Sequence, residues 1–244
     1  MGNQDEMTDT LKPQLMDYVA LTAKGALGAV PYAGSLLAEI AGTIIPNQRI
    51  DRIVKFAEIL AKRLSELEQS FVETQIKNEE FTDLVEEGIR QTARSLSDDR
   101  REYIASVLIN SLSPDDIEYQ ESKHLLRILG EINDVEVIWL RNYAVATLGG
   151  DKEFRVKHET ILEPVRASLG STQDVLDKYA LQESYKKHLA QLGLLSEKLD
   201  VDSKTKQPIY DQHLNVFKTR GYGITPLGTL LLREIGFKKK GDAA

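Results

Sequence analysis

The chain has no cysteine, which excludes disulfide bridges and thiolate metal sites and leaves no thiol to act as a nucleophile. Proline is scarce, with seven in 244 residues, and there is one tryptophan. The N-terminal stretch Met1 to Thr10 is polar and acidic and lacks a basic segment followed by an apolar core. A secretory signal is therefore not expected, and a cytoplasmic protein is. Recognisable catalytic spacing is also missing. No serine stands in a G-x-S-x-G elbow and no phosphate loop of the Walker type occurs. The four histidines, His124, His158, His188 and His213, are not spaced to meet on one helix face, so no metal site is expected and no cofactor either. Acidic pairs such as Glu79-Glu80, Glu86-Glu87, Asp98-Asp99 and Asp115-Asp116 sit at expected helix starts or on polar faces, where they favour the helix dipole and solubility. The reading is non-enzymatic.

What is present is a globular composition, 41% hydrophobic and 28% charged, in a length that suits two domains. The net charge of −7 is uneven. From Gln173 onward there are 12 Lys and Arg against 9 Asp and Glu, a net of +3, which leaves −10 for the rest. An acidic body thus precedes a mildly basic end.

The run from Gly25 to Pro46 carries one charge, Glu39, and glycines at Gly25, Gly28, Gly34 and Gly42. Pro31 divides it, so the expectation is two short helices, about Leu11 to Ala29 and Pro31 to Ile45, too short singly to span a bilayer. Its small residues permit close helix approach, in a membrane or inside a bundle, and an acid at membrane depth would have to face a pore or a partner. Both readings stay open, which makes the protein cytoplasmic with or without membrane association. Ile50, Ile53, Ala57, Leu60, Leu64, Leu67 and Phe71 then recur at steps of three and four, a seam that predicts one helix packed on a partner helix. The pattern continues over 79–96 with Phe81, Leu84, Val85, Ile89 and Leu96. Ser97 reads as an N-cap, Ser113-Pro114-Asp115-Asp116 as the start of a helix reaching Ile132, and Asn133 as the cap of another running to Thr147. Residues 149–172 read as a connector, with an alternating stretch around Phe154 and Val156 and some helix in the second half.

After Gln173 the pattern changes to two short helices, Asp174 to Ala180 and Leu181 to Leu192, a strand Leu194 to Val201, a polar loop, a strand Val216 to Ile224 and a helix Pro226 to Ile235. That order is the winged-helix plan. The fold expected is mostly α, an N-terminal multi-helix bundle (1–148), a connector (149–172) and a winged-helix domain (173–244). Gly221 and Gly223 are read as backbone freedom near the wing. Lys178, Lys186, Lys187, Lys204, Lys206, Lys218 and Arg220 form the basic side of this unit and are placed for nucleic-acid phosphates, diluted by Glu183, Asp200, Asp202 and Asp211.

The order of an apolar Gly/Ala-rich segment, the helix NQRIDRIVKFAEILAKRLSELE, the stretches NEEF and RSLSDDRR and the ending ITPLGTLLLREIGF resembles the Abi-alpha group. The resemblance implies a role in bacterial abortive infection by phage and supplies no catalytic residues. The expected activity is binding to a protein partner, to a second copy or to a membrane; the alternative is a winged-helix DNA-binding regulator with a helical dimerisation domain.

Overall fold

The computed structural model describes residues 34, 50–75, 77–112, 119–145, 151–168, 170–212 and 215–237. Gly34 is helical and buried, while Gly25, Gly28, Pro31, Glu39, Gly42, Ser113 to Asp116 and His213 lie outside the described residues. The chain is mostly helical and falls into two units, Met1–Gly130 with Glu234–Gly236, and Glu131–Arg233 with Phe237–Ala244. This division comes earlier than position 148, and it groups the helix carrying Trp139 with the C-terminal unit.

In the first unit, α1 (Ile50–Leu64), α3 (Glu79–Arg94) and α4 (Asp98–Asn110) pack on one another, with α2 (Gln69–Gln75) between α1 and α3 in sequence and α5 (Tyr119–Glu131) after α4. The periodic residues of α1 are its buried side: Ile53, Ala57, Leu60 and Leu64 are inside, joined by Phe56, which the three-and-four spacing passed over. The seam does not run on to Phe71 as one helix. Ser65 Oγ donates to Lys62 O at 2.7 Å, and Glu66 N and Leu67 N bond back only three residues, a tightening that ends α1. Val72 then takes the buried position of α2, and Leu67 and Phe71 are half-buried.

Asn78 caps α3 by accepting from Glu80 N at 2.8 Å, and Ser97 caps α4 by accepting from Arg100 N at 3.2 Å. Leu96 departs from the apolar pattern of α3: the helix ends at Arg94, Ser95 is extended, and Leu96 is 83% exposed. The Arg100 guanidinium donates to Leu129 O at 2.7 Å, and Gln91 Nε2 to Leu126 O at 2.8 Å, so α5 is fixed through its backbone carbonyls. Beside Asp98, the hydrogen bond and charge of Arg101 hold the carboxyl below the usual range, with Lys55 adding to the effect.

In the second unit, α6 (Asp134–Ala144) opens with a capping box: Asn133 Oδ1 accepts from Glu136 N at 2.9 Å and Glu136 Oε2 accepts from Asn133 N at 2.7 Å. Two short helices, α7 (Lys152–Lys157) and α8 (Glu159–Leu162), lie in the expected connector, mostly in its first half and reaching just into the second. Phe154 and Val156 are therefore helical, not extended. Phe154 is buried because the Arg141 guanidinium lies over its ring at 4.1 Å and over Phe237 at 4.5 Å while also binding Asp151 at 2.6 Å. Residues 163–168 follow without helix or strand. They are pinned by the buried Gln182, which accepts from Val165 N at 3.1 Å and donates to Glu163 O at 2.8 Å.

α9 (Gln173–Gln191) is one helix where two were expected. Nothing at Ala180 and Leu181 breaks a helix, and what changes there is burial: positions 172–181 hold no buried residue, and the buried side begins at Gln182 and Leu189. Gly193 turns the chain at φ +73° into β1 (Leu195–Leu199), which pairs antiparallel with β4 (Thr219–Ile224). Between them, β2 (Tyr210–Asp211) pairs with β3 (Val216–Phe217). Backbone bonds from Asp200 N to Lys218 O (2.7 Å), Ile209 N to Asp200 O (2.9 Å) and Lys218 N to Ile209 O (2.8 Å) join the two ribbons into one arm. α10 (Pro226–Glu234) closes the unit. Thr225 Oγ1 accepts from Gly228 N at 3.0 Å and donates to Gly193 O at 2.7 Å, so a single hydroxyl caps α10 and ties it to the turn before β1.

Candidate docking surface

The register of the arm decides what it presents. Leu195 pairs with Ile224, Glu197 with Tyr222 and Leu199 with Thr219, and directly paired residues of an antiparallel ribbon share a face. Arg220 is the extra residue of a bulge between the last two pairs, and Thr219 Oγ1 donates to Glu197 Oε2 at 3.1 Å, which keeps both on that face. Two residues before Thr219 lies Phe217, paired with Tyr210. One face of the arm therefore carries Leu195 and Tyr222 at its buried base and Leu199, Tyr210 and Phe217 further out. There Leu199 is 38% exposed, Tyr210 45% and Phe217 51%, with the two rings edge-on at 5.2 Å. Val201, 44% exposed, continues the line beyond Leu199. A run of large apolar side chains on a two-stranded arm costs hydration free energy unless something covers it.

The opposite face is bare and polar at its base, while further out it carries Val216, 52% exposed and paired with Asp211. Ser196, Lys198, Gly221 and Gly223 lie on it, and the Lys198 side chain stretches over Gly223. Gly221 and Gly223 do not serve backbone freedom: neither has a positive φ, and a Cβ on Gly221 would meet nothing within 4 Å. Beside this ribbon, a groove of about 420 Å³ is lined by Lys187, Ala190 and Gln191 of α9 and by Leu195, Ser196 and Glu197 of β1.

The expected basic residues do not gather into one surface. Lys178 is bound to Asp174 at 2.8 Å, and Lys186 to Glu183 at 2.8 Å while lying over the Trp139 ring at 4.9 Å. Lys218 faces Asp211 at 3.9 Å. Lys187 lines the groove, and Lys204, Lys206 and Arg220 are exposed along the arm. Lys206 sits at φ +58° in a turn organised by Asp202, whose Oδ1 accepts from Thr205 N at 2.7 Å and Lys204 N at 2.9 Å. These backbone bonds hold the Asp202 carboxyl below its usual range.

Among the histidines, His188 Nδ1 meets the buried Glu136 carboxylate at 2.6 Å, which joins α9 to the capped start of α6, and the His158 ring packs against Phe154 in a tilted arrangement with centroids 4.6 Å apart. His124 is exposed. No group of His, Asp or Glu among the described residues is placed to hold a metal ion, and no described helix is long and apolar enough to cross a membrane.

Tyr143 and Tyr222 pack edge-on at 6.2 Å where α6 meets β4. Burial pushes the Tyr143 hydroxyl up to about 12, with the negative charge of Glu183 adding to it, and burial raises Tyr222 in the same direction. Phenols that resist ionisation only in the folded state contribute stability that is intact below the ordinary tyrosine value of 10.0 and lost as pH rises through the folded values. Unfolding monitored against pH is expected to show the C-terminal unit weakening above pH 10.0, and Tyr143→Phe to flatten that decline.

The apolar arm face escaped the sequence reading because its members come from three separate strands, and their common side exists only through the bulge and the register. Tyr210 and Phe217 flanking a short polar loop were the available signal. No family model, curated protein or solved structure matches the chain.

Proposed function

We propose that the protein acts by binding rather than by catalysis, and that its C-terminal unit is a winged-helix module whose wing, the arm over residues 200–218, docks on a protein. The order α6, α7 and α8, α9, β1, arm, β4, α10 supports the winged-helix reading. The observation that carries the docking reading is the exposed apolar line of Leu199, Val201, Tyr210 and Phe217, since aromatic side chains such as Tyr210 and Phe217 are enriched at protein interfaces. With the resemblance to the Abi-alpha group, the role is abortive infection of phage-infected bacteria, exerted from the cytoplasm. Contact with a membrane through Gly25 to Pro46 has less support, because Gly34 alone of that segment lies among the described residues.

A second reading, contact with nucleic-acid phosphates, draws on the exposed Lys204, Lys206 and Arg220. It is weaker on α9, where Lys178 and Lys186 are held by acids of their own helix.

Phage plating on cells that express the protein tests the docking reading. Phe217→Asp is expected to abolish protection while leaving the protein folded and at its normal level, because Phe217 is half in solvent and its loss opens no cavity. Full protection by that variant sinks the reading.

A further inference from the structure

β1 has a second edge. It pairs with β4 alone, and the groove of about 420 Å³ lies on its other side, between Leu195, Ser196 and Glu197 and the end of α9. Paired residues of an antiparallel ribbon alternate: one pair exchanges hydrogen bonds across the ribbon, and the next turns its N–H and C=O groups outward. Both ends of β1 fix that alternation. Thr225 N donates to Leu194 O at 3.1 Å, one step before the pair Leu195 and Ile224, and Asp200 N donates to Lys218 O at 2.7 Å, one step after the pair Leu199 and Thr219. Ser196 and Lys198 therefore bond to β4, while the backbone groups of Leu195, Glu197 and Leu199 point away from it. No hydrogen bond among the described residues reaches those groups.

An open strand edge is ordinarily guarded by a charge, by proline or by a bulge that turns it away. β1 contains no proline, and the bulge of this ribbon lies in β4, where Arg220 is the extra residue. The two charged side chains of β1 are drawn across the ribbon instead of standing at its edge. Lys198 stretches over Gly223, and the Glu197 carboxylate accepts from Thr219 Oγ1 at 3.1 Å. On the helix side the wall is the half-buried Ala190, with the exposed Lys187 and Gln191 beside it. A methyl group there leaves room for main chain.

The chemistry of the groove selects its occupant. One lysine and one glutamate give it no net charge, and its fixed feature is a row of backbone donors and acceptors at strand spacing, which recognises another extended backbone. A strand flanked by its own helix, such as β1 of a second copy, would bring that helix against α9. An unflanked segment needs only the width of one strand, about 4.8 Å. We propose that the groove between β1 and the end of α9 takes an extended segment of a partner protein as a third strand of the ribbon, held by main-chain hydrogen bonds to Leu195 and Glu197. This contact is separate from the apolar face of the arm and does not depend on it.

Amide exchange in the full-length, isotope-labelled protein, followed residue by residue by NMR, tests the edge first. Ser196 and Lys198 should be protected, and Glu197 should exchange freely. Linear peptides are then selected from an mRNA-displayed random library against the full-length protein, synthesised and titrated by fluorescence anisotropy. Saturating peptide is expected to slow exchange at Glu197 and leave Ser196 as it was. Glu197→Pro removes the outward donor and no bond to β4, and Gln191→Trp fills the groove from an exposed helix position; each should weaken binding about tenfold or more. Gln191→Trp still decides the matter if Glu197→Pro melts the ribbon. The inference is overturned if Glu197 is protected in the free protein, if the library yields no binder, if bound peptide leaves exchange at Glu197 unchanged, or if binding survives Gln191→Trp. Peptide binding that is lost with Phe217→Asp instead places the peptide on the arm, which overturns this inference and leaves the docking reading standing. Peptide binding that persists in Phe217→Asp while phage protection disappears is the result expected if both hold.

Discussion

Leu60→Asp is expected to unfold the N-terminal unit rather than to dissociate an oligomer. Leu60 is 2% exposed on the side of α1 that also buries Ile53, Phe56, Ala57 and Leu64, and α1 packs against both α3 and α4. Truncating such a leucine to alanine costs about 2–5 kcal/mol from lost burial and the cavity left behind. Aspartate adds an unpaired carboxylate in the same apolar space, a further penalty of several kcal/mol unless the group takes up a proton. Together these rival the whole stability of a small domain, about 5–15 kcal/mol. Circular dichroism should lose the helical signal of this unit, and sedimentation should show no folded monomer derived from a larger species. By comparison, Phe71→Ala should cost less, because α1 has already ended and Phe71 is half-buried.

Gly228→Ala is expected to weaken the C-terminal unit. Position 228 lies in the first turn of α10, where an alanine would ordinarily gain up to about 1 kcal/mol over glycine. Here the sign reverses. A Cβ at this position falls far inside contact distance of the Leu194 carbonyl oxygen and comes within 3.0 Å of Ile224 Cγ1 and 3.2 Å of Leu140 Cδ1. The carbonyl is backbone, and the Thr225 backbone N–H donates to it at 3.1 Å, so it has little room to retreat. Overpacking of this kind costs about 1–3 kcal/mol, and a clash with main chain belongs at the upper end. A melting temperature lower by several degrees for the transition assigned to the C-terminal unit is the expected result. An unchanged melting temperature would mean that α10 can move away from the turn at Gly193. Thr225→Val should weaken the same junction by removing the cap while keeping the shape.

How legible these features were depends on how far apart in sequence their causes lie. The helix starts at Ser97 and Asn133 could be read directly because a cap is decided by residues two or three positions away. The buried face of α1 was visible for the same reason. Its end was not, since a serine bonding back to Lys62 O competes with a continuing apolar period that the sequence still displays at Leu67 and Phe71. Phe154 looked extended because alternation over three residues cannot be told from one turn of helix; its burial comes from Arg141 and Phe237, remote in sequence. Gly228 stood in plain sight within Thr225-Pro226-Leu227-Gly228, but its reason is the carbonyl of Leu194. On α9, Lys178 and Lys186 pair with acids four and three residues away on the same helix, a local pairing that the sequence displays. The candidate surface was least legible of all, for it depends on one bulge.

The central claim is that activity follows the apolar face of the arm, and plating efficiency across a series at position 217 tests it most directly. Phe217→Leu should keep most of the protection, Phe217→Ala less and Phe217→Asp none, in the order of apolar area, whereas Lys204→Glu with Lys206→Glu should leave most of it intact. Protection that is indifferent to position 217 and lost on reversing those two lysines would contradict the account and favour a phosphate-binding wing.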